Sequence, residues 1–535
     1  MKKIIKNSKL IIKHLITPIF IIIIISCTTT SPQTGSLAGT VNLEGQSDHS
    51  GIIIGVYQLA ELDPDIVEAN TKWPHIGVII NQHTEFDHRF GTLVKTGETD
   101  ASGYFEINNI PTGVYNVVAI KDSFGFRYIY NVQINDGENE LNSLRTKDQG
   151  VKNKEKIKSQ NSKKDEIILN PESSKNDFSL SSLLFSLDSE SEITLFPATH
   201  ITSDITSPTT FLSHHHYIIE KDIIIDDELT IEPGAVVRLN EGVKMSIYGD
   251  LTAVGQEDNF IWFTSNDSIN SKLKIKNLKL RAITDYNRVE LDGTLNKQVS
   301  YCKFDHAGTG LFSRVNGFEI SNCIFRDSQG GFKAENVDSC FCSNLLCEEI
   351  DNEQEAGIYF SQVENGCIEK NVVNNCVNGI KIKTYSNPDV KNNYIENCEF
   401  GFKVSYYSSP IIQNNEINES NIAVYNYYFS AAEIIYNNIK SNYGIIIDRV
   451  NSIISIGKNN FENELYSIQL KPQEVGVDVD AEYNYFGTNN INAIEDKIFD
   501  RNDVNEQEQI HYGIIDVIPY LEEPCQNSGI NFINQ

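Results

Sequence analysis

Val390-Lys391-Asn392-Asn393-Tyr394-Ile395 recurs as Ile412-Gln413-Asn414-Asn415-Glu416-Ile417, as Ile434-Ile435-Tyr436-Asn437-Asn438-Ile439 and as Ile456-Gly457-Lys458-Asn459-Asn460-Phe461. In every copy an apolar residue is followed three positions on by Asn, and two further by another apolar residue. The asparagine anchors fall at 371, 393, 415, 437 and 459, a constant 22 residues apart. Upstream the same frame falls on Cys302, Cys323 and Asn344. An apolar side chain follows each anchor, nine residues on in the regular units: Leu311, Phe332, Ile358, Ile380, Phe402, Val424, Ile446 and Ile468. Eight units in constant register read as a solenoid. A unit this short, built of brief apolar runs, is one coil of a parallel β-helix, with coils about 4.8 Å apart and like positions stacked. The anchors stack, as do Ser386, Ser408, Ser430 and Ser452, and satisfy backbone groups at the corners. The Leu-rich signature of leucine-rich repeats, which have similar periods, is missing.

If those apolar residues point inward, their neighbours point out. One outward row reads Phe312, Lys333, Tyr359, Lys381, Lys403, Tyr425 and Ile447. A parallel row reads Arg314, Glu335, Ser361, Lys383, Ser405, Tyr427 and Arg449. Six cations against one carboxylate are unexpected on a chain of formal charge −29, with 73 acidic and 44 basic residues. Tyr can stack on sugar rings, and Lys and Arg pair with uronate or sulfate groups. Lys381, Lys383, Lys403, Tyr425, Tyr427 and Arg449 are therefore candidate glycan contacts; the plainer alternative is a solvated sheet face with β-favouring aromatics. Between the rows an inward column ends in Asn426 and Asp448. A buried carboxylate needs a partner, which Asn426 would supply unless the strand ends there.

Cys302 and Cys323 share one coil position, Cys340 and Cys367 a second, Cys376 and Cys398 a third. Stacked pairs suit thiols packed as small apolar groups or disulfides; thiol ladders are the expectation. An insertion between Asn344 and Ile358, five residues longer than its counterparts, carries Glu348, Glu349, Asp351, Glu353 and Glu355. Clustered carboxylates suit Ca²⁺, so Glu348, Glu349, Asp351 and Glu353 are candidate metal ligands, against the plainer reading of a solvated loop. No other cofactor is expected.

Outside the repeats, residues 36–145 alternate short apolar runs with turn residues, a β-sandwich pattern. Thr99-Asp100-Ala101-Ser102-Gly103-Tyr104-Phe105-Glu106-Ile107-Asn108-Asn109-Ile110-Pro111 within it resembles the carboxypeptidase regulatory-like domain, which implies a transthyretin-like sandwich. His75, His83, Asp87 and His88 crowd one loop and read as solvated, since no tight ligand spacing appears. Residues 146–204, rich in Lys, Ser, Asn and Glu, read as a polar linker. The solenoid then occupies 205–522 and a tail 523–535; His214-His215-His216 reads as a cap or strand edge.

Lys2, Lys3, Lys6, Lys9 and Lys13 precede the apolar run Ile19–Ile25, the signature of a secretory signal over 1–26. Ile24-Ile25-Ser26-Cys27 resembles a bacterial lipobox, which implies acylation at Cys27 and a tether over 27–35. The expectation is a monomer anchored in the cell envelope through lipid, the outer membrane before the inner, since Thr28 follows the cysteine. The acidic balance argues against nucleic acid.

Leu229-Thr230-Ile231-Glu232-Pro233-Gly234 through Leu239, Gly249–Gly255, and the closing Asn484-Tyr485-Phe486-Gly487-Thr488 resemble the first and last coils of right-handed parallel β-helix proteins of the pectin-lyase-like fold. The resemblance spans about 300 residues and implies an all-β chain: a transthyretin-like sandwich followed by a right-handed parallel β-helix. Such proteins include polysaccharide lyases, hydrolases and epimerases as well as binding proteins, and fold alone does not choose. The paired aspartates and Gly-His-Gly of the hydrolases are missing. The leading expectation is a non-catalytic binding or structural surface for acidic polysaccharide. The alternatives are a lyase or epimerase, and an adhesin contacting another protein.

Overall fold

The computed structural model describes residues 33–141, 193–266, 285–293, 296–449 and 454–532. Cys27 and the signal segment, most of the polar linker and Ser452 lie outside the described residues. No helix among the described residues is long and apolar enough to cross a membrane.

The first unit is a pair of four-stranded sheets. Thr34–Leu43 buries every second residue, the alternation of a strand with one covered face. It pairs antiparallel with Tyr104–Pro111 and parallel with Gly137–Glu140 and Ile193–Leu195. The second sheet runs Leu93–Glu98, Ile53–Tyr57, Gly113–Lys121, Gly125–Ile134. Leu37, Val41, Ile54, Phe105, Ile107, Val117 and Ile129 fill the space between. A long excursion between Tyr57 and Leu93 carries the helices Pro64–Lys72 and Gln82–Glu85. Asp63 starts the first by accepting from the Asp65 and Ile66 N–H groups, and Pro64 follows where no N–H is needed.

The second unit is a right-handed parallel β-helix with 33 strands among the described residues. Each regular coil contributes three strands, one to each of three parallel sheets, here A, B and C. Asn378–Lys383 lies in sheet A, Asp389–Lys391 in B and Tyr394–Glu396 in C. In sheet A, Ile358, Ile380, Phe402 and Val424 stand in register and are fully buried. Asn371, Asn393, Asn415, Asn437 and Asn459 form a buried ladder that ends on Asn484. From Asn393 to Asn484, each Oδ1 accepts both the main-chain and the side-chain N–H of the asparagine one coil earlier, at 2.9–3.1 Å. The amide thus satisfies groups that no strand can pair at that corner. Ser386, Ser408 and Ser430 do the same at the corner between A and B.

Several registers differ by one residue from the sequence reading. The ladder position upstream is Leu345, not Asn344: the Leu345 N–H donates to Asn371 Oδ1, and Leu346 pairs with Val372. The longer coil therefore has four extra residues. Phe341, not Cys340, stands over Cys367, because the neighbouring pair is Cys342 and Ile368. Cys302 and Cys323, and Cys376 and Cys398, are in contact through their thiols. All nine described cysteines are free. One coil is a residue short: a bulge at Glu419, whose φ is +48°, sets Val424 beside Ile445, so Tyr425 meets Ile446 and Tyr427 meets Asp448. Ile447 therefore points inward and Asp448 outward. Ordered strands also begin before residue 205: Ile193–Leu195 completes the sandwich and Thr199–Ile201 pairs with the coil above.

The excursion from the sandwich docks on sheet C. Ile66, Ala69, Ile76, Val78 and Ile80 pack against Ile324, Leu346, Val372 and Tyr394. The Gly77 N–H donates to the Lys370 carbonyl at 2.7 Å, and a Cβ there would meet Val372 at 2.6 Å, so only glycine allows this approach. Buried ion pairs flank the apolar patch. Arg326 holds Glu85 and Glu348. Arg89 reaches Asp87 at 2.7 Å, Thr264 at 2.9 Å and Asp305 at 3.7 Å. The chain's last described residues run back along the corner between B and C. Asn460, Tyr436, Asn414 and Asn392 successively bond Cys525, Gly529, Asn527 and Asn531, and Ile530 and Phe532 join the apolar patch beside Trp73. Sheet C and its corner are thereby covered. Among the described residues, no segment from outside the β-helix packs on sheet A or the A–B corner.

Candidate functional site

On the outer side of sheet A, Lys333, Tyr359, Lys381, Lys403 and Tyr425 occupy one row by strand register, with Glu335, Ser361, Lys383, Ser405 and Tyr427 beside them. The Tyr359 ring lies between two ammonium groups, those of Lys333 and Lys381, each 4.8 Å from its centre. Lys403 sits 4.4 Å from the Phe400 ring and Lys383 4.9 Å from Tyr406. Such contacts hold a cation near apolar surface without neutralising it.

The six cations are not equivalent. Arg314 pairs with Glu290 at 2.6 Å, Lys333 with Glu335 at 3.7 Å and Arg449 with Asp448 at 3.2 Å. Among the described residues Lys381, Lys383 and Lys403 have no carboxylate at ion-pair distance. Lys381 is buried rather than open: the insertion arches over it, and its Nζ donates to the Gln354 carbonyl at 2.6 Å. Burial, with Lys403 and Lys383 adding to it, pushes its pKa down to about 8. Burial likewise lowers that of Lys403 and raises that of Glu355 at the edge of the row. Lys383 and Lys403 are the half-buried cations a ligand can reach.

Tyr425 and Tyr427 stack on each other at 4.8 Å, and Tyr425 donates to Asp448 at 2.8 Å. Asp448 is thus an outward acceptor and not the inward carboxylate expected from the repeat. The inward position belongs to Asn426 alone, which donates to the Ser430 carbonyl. Arg449 leaves the sheet for the corner, φ +52°, where its guanidinium lies 4.7 Å from Tyr428.

The sequence reading missed the corner itself. Thr384 and Tyr385, Tyr406 and Tyr407, and Tyr428 and Phe429 all adopt left-handed backbone, φ +56° to +64°. For bulky residues each such conformation costs on the order of 1 kcal/mol or more. Tyr385, Tyr407 and Phe429 stack coil on coil at 5.3 and 5.4 Å, and Tyr406 on Tyr428 at 4.7 Å. Tyr385 is 60 % and Tyr407 46 % exposed. The signal was an aromatic residue repeated directly before Ser386, Ser408 and Ser430.

The candidate calcium ligands do not converge. Glu348 turns to Arg326 at 3.2 Å, and Asp351 and Glu353 line a shallow, open pocket with Asp285 and Gln329. Nor is the histidine loop solvated as a whole. His75 is exposed, but His88 is buried and lies 2.7 Å from the Tyr128 hydroxyl, and burial lowers its pKa to about 4. His216 is buried against the Phe126 carbonyl, in the domain interface. Three metal-ligating side chains come together among the described residues only at Asp87, Asp305 and His306.

Fold and site define a right-handed parallel β-helix protein with one sheet masked by its own sandwich and the open sheet cationic and aromatic. The family model described as periplasmic copper-binding protein (NosD) matches residues 264–439 and, overlapping, 352–521. Together the matches span just under half of the chain and include every coil of the candidate site. No curated protein and no solved structure matches it.

Proposed function

We propose that this is a β-helix protein of the cell envelope whose open sheet A binds acidic polysaccharide, held at the membrane by lipid on Cys27. The observation that carries the reading is the accessible pair Lys383 and Lys403, with Lys381 buried behind them. These like charges lie on adjacent coils, lack carboxylate partners and are flanked by tyrosines, on a chain that is otherwise strongly acidic. Their mutual repulsion is relieved by an anion laid over the face. The periplasmic description of the matching family supports the compartment. Retention of the protein on immobilised polygalacturonate should weaken with salt, since exposed charges are screened within about 8–10 Å at physiological ionic strength. Lys383→Ser with Lys403→Ser should abolish retention and leave the melting temperature unchanged. Unchanged retention, or retention indifferent to salt, returns the face to a merely solvated sheet. Anchoring is read separately: Cys27→Ala should move the protein from the detergent phase to the aqueous one.

One observation favours a second reading, a lyase or epimerase: Lys381, Glu355 and Tyr359 stand together with their proton affinities displaced toward neutrality or away from their ordinary values. Appearance of unsaturated product from polyuronate would decide for it. Copper, named in the matching family's description, does not suit the one three-ligand cluster found among the described residues. Among Asp87, Asp305 and His306 sit the Arg89 guanidinium and the Lys303 ammonium, 3.7 Å from Asp305, and a metal ion would have to displace both.

A further inference from the structure

We propose that the aromatic corner beside sheet A is a second wall of the binding face, one that contacts the uncharged hydroxyl and C–H parts of sugar residues while the lysines take their charge. The inference rests on the acidic-polysaccharide reading above and adds to it the surface that would distinguish a sugar polymer from another polyanion.

Three observations carry it. The first is conformational. Among the described residues, consecutive non-glycine pairs in left-handed backbone occur only at this corner, on three adjacent coils. The single left-handed residues of the corner between C and A, Asp327, Glu349, Asn375, Asn397 and Glu419, are all polar, and the corner between B and C carries lone tyrosines at Tyr301, Tyr436 and Tyr483 but no left-handed pair. Keeping aromatic rings where Asn or Gly is cheaper calls for a return beyond turn formation. Coil-to-coil stacking supplies part of it, but stacking alone does not call for rings left in water, and Tyr385 and Tyr407 are among the most exposed aromatic residues of the β-helix.

The second observation is orientation. Tyr407 has a ring on each face, at interplanar angles of 10° and 21° to Tyr385 and Phe429, whereas Tyr385 ends the stack and is 60 % exposed. The ridge therefore offers phenolic hydroxyls and an open ring face, which bond sugar hydroxyls and pack against sugar C–H groups; the C–H contact is the one polyphosphate has no group to make. The third is continuity with the cations. Lys383 lies over Tyr406 and Arg449 over Tyr428, so charge and ring edge alternate across one surface. A uronic or sulfated sugar presents that same alternation, whereas polyphosphate presents charge alone.

The test compares polygalacturonate with polyphosphate on the purified full-length protein by calorimetry. Tyr385→Ala with Tyr407→Ala should weaken polygalacturonate binding about tenfold and leave polyphosphate binding within twofold. Tyr385→Phe with Tyr407→Phe keeps the stack, as Phe429 already does, and should cost the polysaccharide about threefold; it stands in if the alanine pair lowers the melting temperature. Equal losses for both polymers, or no loss for either, overturn the ridge. A parent protein that binds polyphosphate and not polygalacturonate overturns the sugar reading and spares the cationic face. A parent that binds neither overturns both.

Discussion

Arg326 of the β-helix grips Glu85 of the sandwich excursion through two parallel hydrogen bonds, at 2.7 and 2.8 Å, with each side chain only 8 % exposed. Breaking one partner of such a pair leaves a buried charge uncompensated. Arg326→Met, which strands both Glu85 and Glu348, should therefore cost about 3–5 kcal/mol. Replacing all three members, Arg326 by Met and Glu85 and Glu348 by Leu, should cost much less. Urea unfolding of the two variants checks this, and equal losses would mean the pair is not truly desolvated.

Phe402 and Lys403 are neighbours with opposite fates, one in the core and one on the open sheet. Phe402→Ala should cost about 3–5 kcal/mol. Lys403→Ala should stay within about 1 kcal/mol, the scale of a half-exposed cation–ring contact. Comparable losses in the two melts would contradict the register.

Asn415 accepts two N–H groups from Asn393 and donates to Asn437. Asn415→Ala strands buried partners on both neighbouring coils and should cost about 2–3 kcal/mol, toward the upper range for unmade buried hydrogen bonds. Hydrogen exchange should show the Asn393 amide losing protection first. A loss below about 0.5 kcal/mol, the level of an ordinary surface substitution, would show that the ladder is ornamental.

Binding at sheet A should depend on pH through Lys381. Burial lowers its pKa from 10.5 to about 8, so the folded protein holds this proton less firmly than the unfolded chain does. The cost of keeping it charged is present at neutral pH and disappears as pH rises from about 8 toward 10.5. A bound polyanion favours the proton, so affinity should fall between pH 7 and 9, earlier than for an ordinary lysine. Lys381→Arg should flatten the profile. Calorimetry across that range checks it, and a level parent profile would remove Lys381 from the site.

Removing residues 524–532 deletes the strand of chain that bonds Asn460, Asn414 and Asn392 and adds Ile530 and Phe532 to the apolar patch. Limited proteolysis of the truncated protein should cut earlier within the excursion around Trp73. An unchanged cleavage pattern would show that the tail rests there without holding anything.

Much of the solenoid was legible because its side chains repeat. The asparagines at 22-residue intervals fixed both the coil and the corner they occupy. The short coil was not legible: Ile445, Ile446 and Ile447 are interchangeable to the eye, so nothing in the residues betrayed the bulge at Glu419 that moved Asp448 from core to face. Asn344 beside Leu345 misled in the same way, since a turn residue looks like a ladder residue one step away. The lysines of the open sheet could be read in advance, but not their inequality, because neither Gln354 over Lys381 nor Glu290 on Arg314 follows from spacing. The docking of the sandwich was invisible. Arg89, Lys303 and Arg326 have the composition of solvated charges, and only the fold brings Asp87, Asp305 and Glu85 to them.

Repeat proteins ordinarily gain or lose whole units with little penalty, because each unit touches only its neighbours. This one has surrendered that freedom. Its sandwich is pinned to coils from His216 through Arg326 and Lys370 to Asn397, and its tail to coils from Asn460 back to Asn392. One coil inserted between Arg326 and Lys370 would shift the second anchorage by about 4.8 Å against the first, farther than an ion pair or the Gly77 contact can stretch. The molecule is a ruler with fixed graduations, and its descendants can change what sheet A displays far more readily than how many coils display it.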